Sequence, residues 1–172
     1  MPNVPNVPNV PNVPNRATLS TSQVARKLSV YADASVYPHA TGLGAVFKDE
    51  RGKLIAWRNR AIGPMTSNEA EYHALIFALE QARTFAPREL EVFSDSKLVV
   101  EQMRGLFRVH SEPLRALHRR ASALVERFER VKFTHISRER NQLADAIADD
   151  AVSTNRETNK RILRATDIRL FV

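Results

Sequence analysis

Two short stretches of this chain end in a carboxylate just where the backbone is about to turn. Leu28-Ser29-Val30-Tyr31-Ala32-Asp33-Ala34-Ser35 and Leu90-Glu91-Val92-Phe93-Ser94-Asp95-Ser96 are rich in Val and aromatic residues with period-two character, and each stops at an Asp followed by small residues. Between them Glu71 heads an apolar helical stripe, with Ala74, Leu75, Ala78 and Ala82 following at three, four, seven and eleven residues. A carboxylate there should point toward a sheet, where it is costly unless capped or coordinated. Further on, Asp145 and Asp149 share one flank of a helix, and helical spacing does not choose between them. Carboxylates brought close together repel unless a cation lies between them. The chain has no cysteine, so any metal must be held by oxygen or imidazole, which favours Mg²⁺ or Mn²⁺. The plain alternative for Asp95 is that it caps the following helix, a frequent role for Asp.

Such a cluster needs strand ends lying side by side, because ligands of open α/β sheets collect beyond the carboxyl ends of neighbouring strands. Residues 42–47 and 54–61 predict an antiparallel hairpin joined by the polar turn Lys48-Asp49-Glu50-Arg51-Gly52-Lys53. After Gly63-Pro64 a helix begins near Thr66-Ser67-Asn68, with two overlapping capping boxes, Thr66 with Glu69 and Asn68 with Glu71, and Pro87 ends it. A strand, helix and strand of this length form a right-handed crossover, which lays the Asp95 strand parallel to the Asp33 strand. A helix over 96–104 stops at Gly105, and another runs from 111 or 112 to 130 with Pro113 in its first turn. Arg115, Arg119, Arg120, Arg127 and Arg130 give the latter a basic face, interrupted by Glu126 and Glu129, that suits either solvent or phosphate. The last strand covers 131–136. Its extension leads into a helix capped by Asn141, whose buried stripe is Leu143, Ala144, Ile147, Ala148 and Ala151.

At 172 residues and 43% hydrophobic content the chain holds one domain with tails. The expected division is a disordered arm over 1–25, a catalytic domain over 26–152 and a basic, apolar tail over 153–172. The arm repeats Pro-Asn-Val, a pattern that forms neither helix nor ladder. The tail carries Lys160, Arg161, Arg164 and Arg169 among apolar residues, and so suits either docking on the domain or contact with nucleic acid. A formal charge of +7 fits a phosphate-rich partner. No apolar run approaches the roughly 20 residues that span a bilayer, and no secretory core follows Met1, so the expected setting is cytoplasmic, without a membrane partner.

The four acids Asp33, Glu71, Asp95 and Asp145, in this order and with these surroundings, resemble type 1 ribonuclease H over about residues 27 to 152. The motifs behind the resemblance are Ala32-Asp33-Ala34-Ser35, the Gly-rich Thr41-Gly42-Leu43-Gly44-Ala45, Asn68-Glu69-Ala70-Glu71-Tyr72-His73-Ala74-Leu75, Ser94-Asp95-Ser96-Lys97-Leu98-Val99, and Arg138-Glu139-Arg140-Asn141-Gln142-Leu143-Ala144-Asp145. The match selects Asp145 over Asp149. It implies an α/β domain with a mixed five-stranded sheet, three strands antiparallel and the others parallel, and helices on both faces. It also implies hydrolysis of the RNA strand of RNA/DNA hybrids to 5′-phosphate and 3′-hydroxyl ends, by a monomer. Phosphodiester hydrolysis with two divalent ions about 4 Å apart needs a cluster of hard oxygen ligands and little else. In the family's arrangement Asp33 bridges both ions, Glu71 and Asp95 serve one side and Asp145 the other. His135, ten residues before Asp145, falls where many members carry an auxiliary His on a mobile loop, while the second His usual there in bacterial members is absent. Only residues 105–110 separate the two middle helices, so the basic protrusion of some members is missing as well. Substrate contact then falls to Asn68, reading a 2′-hydroxyl, to Arg104, Arg108 and Arg138, and to the basic helix and the tail as further candidates. The rival expectations are a non-catalytic nucleic-acid-binding domain on the same fold, and a nuclease of another duplex such as double-stranded RNA.

Overall fold

The computed structural model describes residues 27–153, and the Pro-Asn-Val arm and the basic tail expected from the sequence lie outside the described residues. A sheet of order β3-β2-β1-β4-β5 is built from β1 (Lys27–Val36), β2 (Thr41–Lys48), β3 (Leu54–Ile62), β4 (Glu89–Ser94) and β5 (Arg130–His135). β1 pairs antiparallel with β2 and β2 with β3, whereas β1 with β4 and β4 with β5 run parallel. The mixed five-stranded sheet expected from the sequence is therefore the observed one. The carboxyl ends of β1, β4 and β5 leave the sheet on one side, and that side receives Asp33, Asp95 and His135.

Alternation assigns the two faces. Leu28, Val30 and Ala32 of β1 and Leu43, Ala45 and Phe47 of β2 join the main core beneath α1 (Ser67–Ala82), together with Leu75, Ala78 and Leu79. Tyr31 and Val46, one step out of phase, pack on the other face against Ala144, Ala146 and Ile147 of α4 (Gln142–Asp150). α1 is apolar on nearly all sides because it lies between the sheet and α3 (Glu112–Val125). Gly42 and Gly44 explain how α4 comes so close to β2. A Cβ on Gly44 would sit 2.4 Å from the Ala144 carbonyl oxygen, and one on Gly42 would sit 1.9 Å from that of Ala148.

Several boundaries differ from those expected. Thr66 caps α1 and forms the capping box with Glu69, so the alternative box of Asn68 with Glu71 is not made. α1 ends at Ala82, not at Pro87: a 3-10 turn, Arg83–Phe85, tightens the chain, and Ala86 adopts a left-handed φ of 48° before the proline is reached. α3 stops at Val125, because the chain must turn to enter β5 at Arg130. Ser96, not Asp95, caps the short α2 (Lys97–Met103), accepting from the Val99 N–H. Asn141 precedes α4 but makes no side-chain cap.

Candidate active site

Asp33 lies on β1, paired across the sheet with Gly44, and only 5% of its surface is exposed. Glu71 projects from the first turns of α1, and Asp95 follows directly on β4. Because Ser96 has taken the capping role, the Asp95 carboxylate is not committed to the helix end. One ligand oxygen from each of Asp33, Glu71 and Asp95 lies within 4.8 Å of the others. Asp33 and Glu71 are both pushed up to about 8, chiefly by burial and in addition by the neighbouring carboxylates, Asp95 acting on Asp33 and Asp33 and Asp95 on Glu71. An Ala34 N–H donated to Asp33 Oδ1 at 2.8 Å and the field of Arg138 pull Asp33 partly back.

Asp145 faces the same cluster from α4, and its charge also raises Asp33. Arg138 Nη2 approaches it at 3.9 Å from an exposed turn. Asp149 turns elsewhere, accepting a hydrogen bond from the Tyr37 hydroxyl. Asp145, Asp149, Arg138 and residues 34–37 line a polar cleft of about 420 Å³ beside the carboxylates. A second hollow, of about 340 Å³, lies at the opposite ends of the strands among Lys27, Glu89, Glu91, Arg130 and Lys132. Ion pairs already occupy its rim, with Glu91 bound by Lys27 and Lys132 and Glu89 by Arg130.

His135 is exposed, and its Nε2 lies 3.2 Å from the Asp95 main-chain oxygen. A carbonyl only accepts, so Nε2 carries the proton and Nδ1 is the nitrogen that exchanges protons in the neutral ring. Asn68 is exposed in the first turn of α1. Arg104 and Arg108 are exposed on the connection from α2 to α3, and neither lines the cleft beside the carboxylates. Arg104 pairs with Glu101 at 3.1 Å. The Arg108 carbonyl accepts from Gln102 Nε2 at 3.1 Å, and Gln102 in turn accepts from the Tyr72 hydroxyl at 2.7 Å. That chain of bonds ties the connection to the helix bearing Glu71. Sequence reasoning missed two residues here. Asn141, read as a helix cap, instead reaches Asp95, and Tyr37 holds Asp149. Their signals were weak, because an Asn before a helix ordinarily means a cap.

The donor set fits a hard divalent cation: three carboxylates converge, two of them held well above their usual range, and the cation whose field lowers both is Arg138, largely exposed on a turn.

A family model described as reverse transcriptase-like matches residues 31–151. Among solved structures, the N-terminal RNase H domain of a Mycobacterium tuberculosis protein is 37% identical with a TM-score of 0.69, covering 74% of this chain and 99% of that one. LC11-RNase H1 in complex with an RNA/DNA hybrid is 32% identical with a TM-score of 0.69, covering 73% of this chain and 96% of that one; its source is compost sampled by metagenomics. Ribonuclease HI of Halobacterium salinarum is 36% identical over 115 residues, 67% of this chain and 58% of the relative. The chain spans 32% of the length of the curated mycobacterial relatives, to which it is 40% identical over 116 residues.

Proposed function

The chain belongs to the ribonuclease H family, and on that footing we propose that it is an endonuclease hydrolysing the RNA strand of RNA/DNA hybrids to 5′-phosphate and 3′-hydroxyl ends. The observation that carries this reading is the convergence of Asp33, Glu71 and Asp95, from three separate elements, within 4.8 Å at the carboxyl ends of adjacent parallel strands. Asp33, Glu71, Asp95 and Asp145 would hold two Mg²⁺ or Mn²⁺ ions. Bound there, the metal supplies Lewis acidity, a lowered pKa for water and neutralisation of charge on the leaving oxygen.

The chain's own residues orient and protect. Sheet and helix fix the acids before substrate arrives, so little reorganisation is needed during reaction. His135, with its protonated Nε2 turned to the Asp95 carbonyl, keeps Nδ1 to take up or release a proton at the rim. Asn68, exposed at the start of α1, would read a 2′-hydroxyl, and Arg104, Arg108 and Arg138 would take phosphates. The protein acts as a cytoplasmic monomer.

The experiment is cleavage of labelled RNA/DNA, RNA/RNA and DNA/DNA duplexes side by side, with Mg²⁺ and with EDTA. Cutting confined to the RNA strand of the hybrid and abolished by EDTA is expected. Equal cutting of double-stranded RNA would redefine the substrate, and binding without cutting of any duplex would make the domain a non-catalytic module.

A further inference from the structure

Asn141 is 1% exposed and immediately precedes α4. Its Nδ2 donates to the Ala32 carbonyl at 3.0 Å and to Asp95 Oδ1 at 3.1 Å. Its own carbonyl accepts the Asp145 N–H at 3.0 Å. Ala32 precedes Asp33 on β1, so one side chain and its backbone meet the neighbourhood of three acids on three elements. Both Nδ2 partners only accept, which requires the amide NH₂ group on that side and settles the orientation of the amide. Asn141 Oδ1 is then buried with no hydrogen-bond partner among the described residues. A buried amide satisfied on one side only is an expensive way to begin a helix, since a capping Asn would use that oxygen on a backbone N–H. The geometry is that of a clamp and not of a cap.

We propose that Asn141 is a positioning residue that clamps the Asp95 carboxylate to the end of β1, holding it ready for a cation; this deepens the metal-dependent reading above and rests on it. With Oδ1 engaged, the Asp95 carboxylate does not rotate freely about its last torsion. Partners that orient a ligand in this way commonly change metal affinity by about 10–100-fold when removed. The clamp also links helix and sheet. Asn141 grips β1 and the end of β4, and Asp145 is hydrogen-bonded to Asn141 one turn later, so α4 cannot shift along the sheet without disturbing Asp95.

The test uses the full chain and Asn141→Ala, with Asn141→Ser as the smaller change should the first fold poorly. Mg²⁺ affinity is measured calorimetrically without nucleic acid, well below each variant's melting temperature, and the metal-free crystal structures are compared. Expected are a turn of the Asp95 carboxylate away from Asp33 and Glu71, a loss of Mg²⁺ affinity of roughly 10-fold or more, and a fall in kcat with KM for hybrid little changed. In a double-mutant cycle the affinity losses of Asn141→Ala and Asp95→Asn should be strongly less than additive, because both act through one carboxylate. An unmoved Asp95, additive losses, or a lower melting temperature with unchanged Mg²⁺ affinity would overturn the proposal and leave Asn141 a structural residue. Failure of both variants to fold would do the same. If the parent chain itself bound no Mg²⁺, the functional reading would fall, while the displacement of Asp95 in the variant would still decide the clamp.

Discussion

At the scale of single residues the site is held together against its own charge. Asp33 and Glu71 both titrate near 8 in the folded, metal-free protein, against about 4 in an unfolded chain. A group whose folded pKa is raised contributes stability that is fully present below its unfolded pKa and is lost as pH rises through the folded value. The EDTA-treated protein should therefore lose stability between about pH 4 and pH 8 on account of this pair, at up to ~1.4 kcal/mol per pKa unit and less where the two acids share one proton. Asp33→Asn should abolish cleavage, flatten that pH dependence and melt no lower than the parent at pH 8 in EDTA. An unfolded variant under those conditions would make Asp33 a structural group. Asp145 and Asp149 test the register of α4. Asp145→Asn should lower kcat by about 100-fold or more, as expected when a cation-holding carboxylate is lost. Asp149→Asn, which weakens the bonds from Tyr37 and Ser153, should cost roughly 1 kcal/mol of stability and little rate. Equal rate losses at saturating Mg²⁺ would mean that both act.

At the scale of elements the decisive contact is α4 on β2. Gly44 stands opposite Asp33 in the ladder and beneath Ala144 and Ala148, so it sets how near the helix bearing Asp145 and following Asn141 can come. Gly44→Ala would drive a methyl into backbone atoms at 2.4 and 2.6 Å, which no rotamer change relieves. The expected result is about 1–3 kcal/mol of destabilisation in denaturant titration, together with weakened Mg²⁺ binding in the protein that remains folded. Destabilisation with unchanged Mg²⁺ affinity would show that α4 rides outward without disturbing the acids. α1 presents the opposite case, packed between the sheet and α3, so Glu71 comes from a helix most of whose residues are buried.

At the scale of the whole molecule a net charge of +7 is spread unevenly. The basic face expected on α3 is largely paired off within the described residues, with Arg115 and Arg119 on Glu112, Arg120 on Glu80, and Arg130 beyond it on Glu89. Exposed pairs of this kind add roughly 0–1 kcal/mol each, yet they offer less charge to a duplex. On the proposed function the grip falls instead to the connection between α2 and α3, which is held in shape by Gln102 on the Arg108 carbonyl and by Arg115 on the carbonyls of Val109 and His110. Arg108→Ala should weaken hybrid binding and reduce the slope of log affinity against log salt by about one unit, with kcat at saturating substrate nearly unchanged. Arg120→Ala should leave the slope alone. The reverse pattern would move the grip to α3.

By itself the sequence determined the strands that carry Asp33 and Asp95, the parallel crossover between them and the helix that Glu71 heads. The strands and the helix follow from local periodicity, since two-residue and 3.6-residue repeats are printed in the chain whatever it packs against, and the crossover follows from their order and length. Periodicity could not choose between Asp145 and Asp149, which share a helical flank; the family motif chose, and the fold put Tyr37 on one and Arg138 on the other. The ends of α1 and α3 were misjudged because turning toward the next strand stops a helix earlier than its own residues require. Asp95 was freed locally, by its neighbour Ser96, whereas Asn141 was recruited by Asp95, 46 residues away in sequence. Only tertiary structure decided the second role, because a capping residue and a clamping residue look alike until the strand that receives the second hydrogen bond is in place.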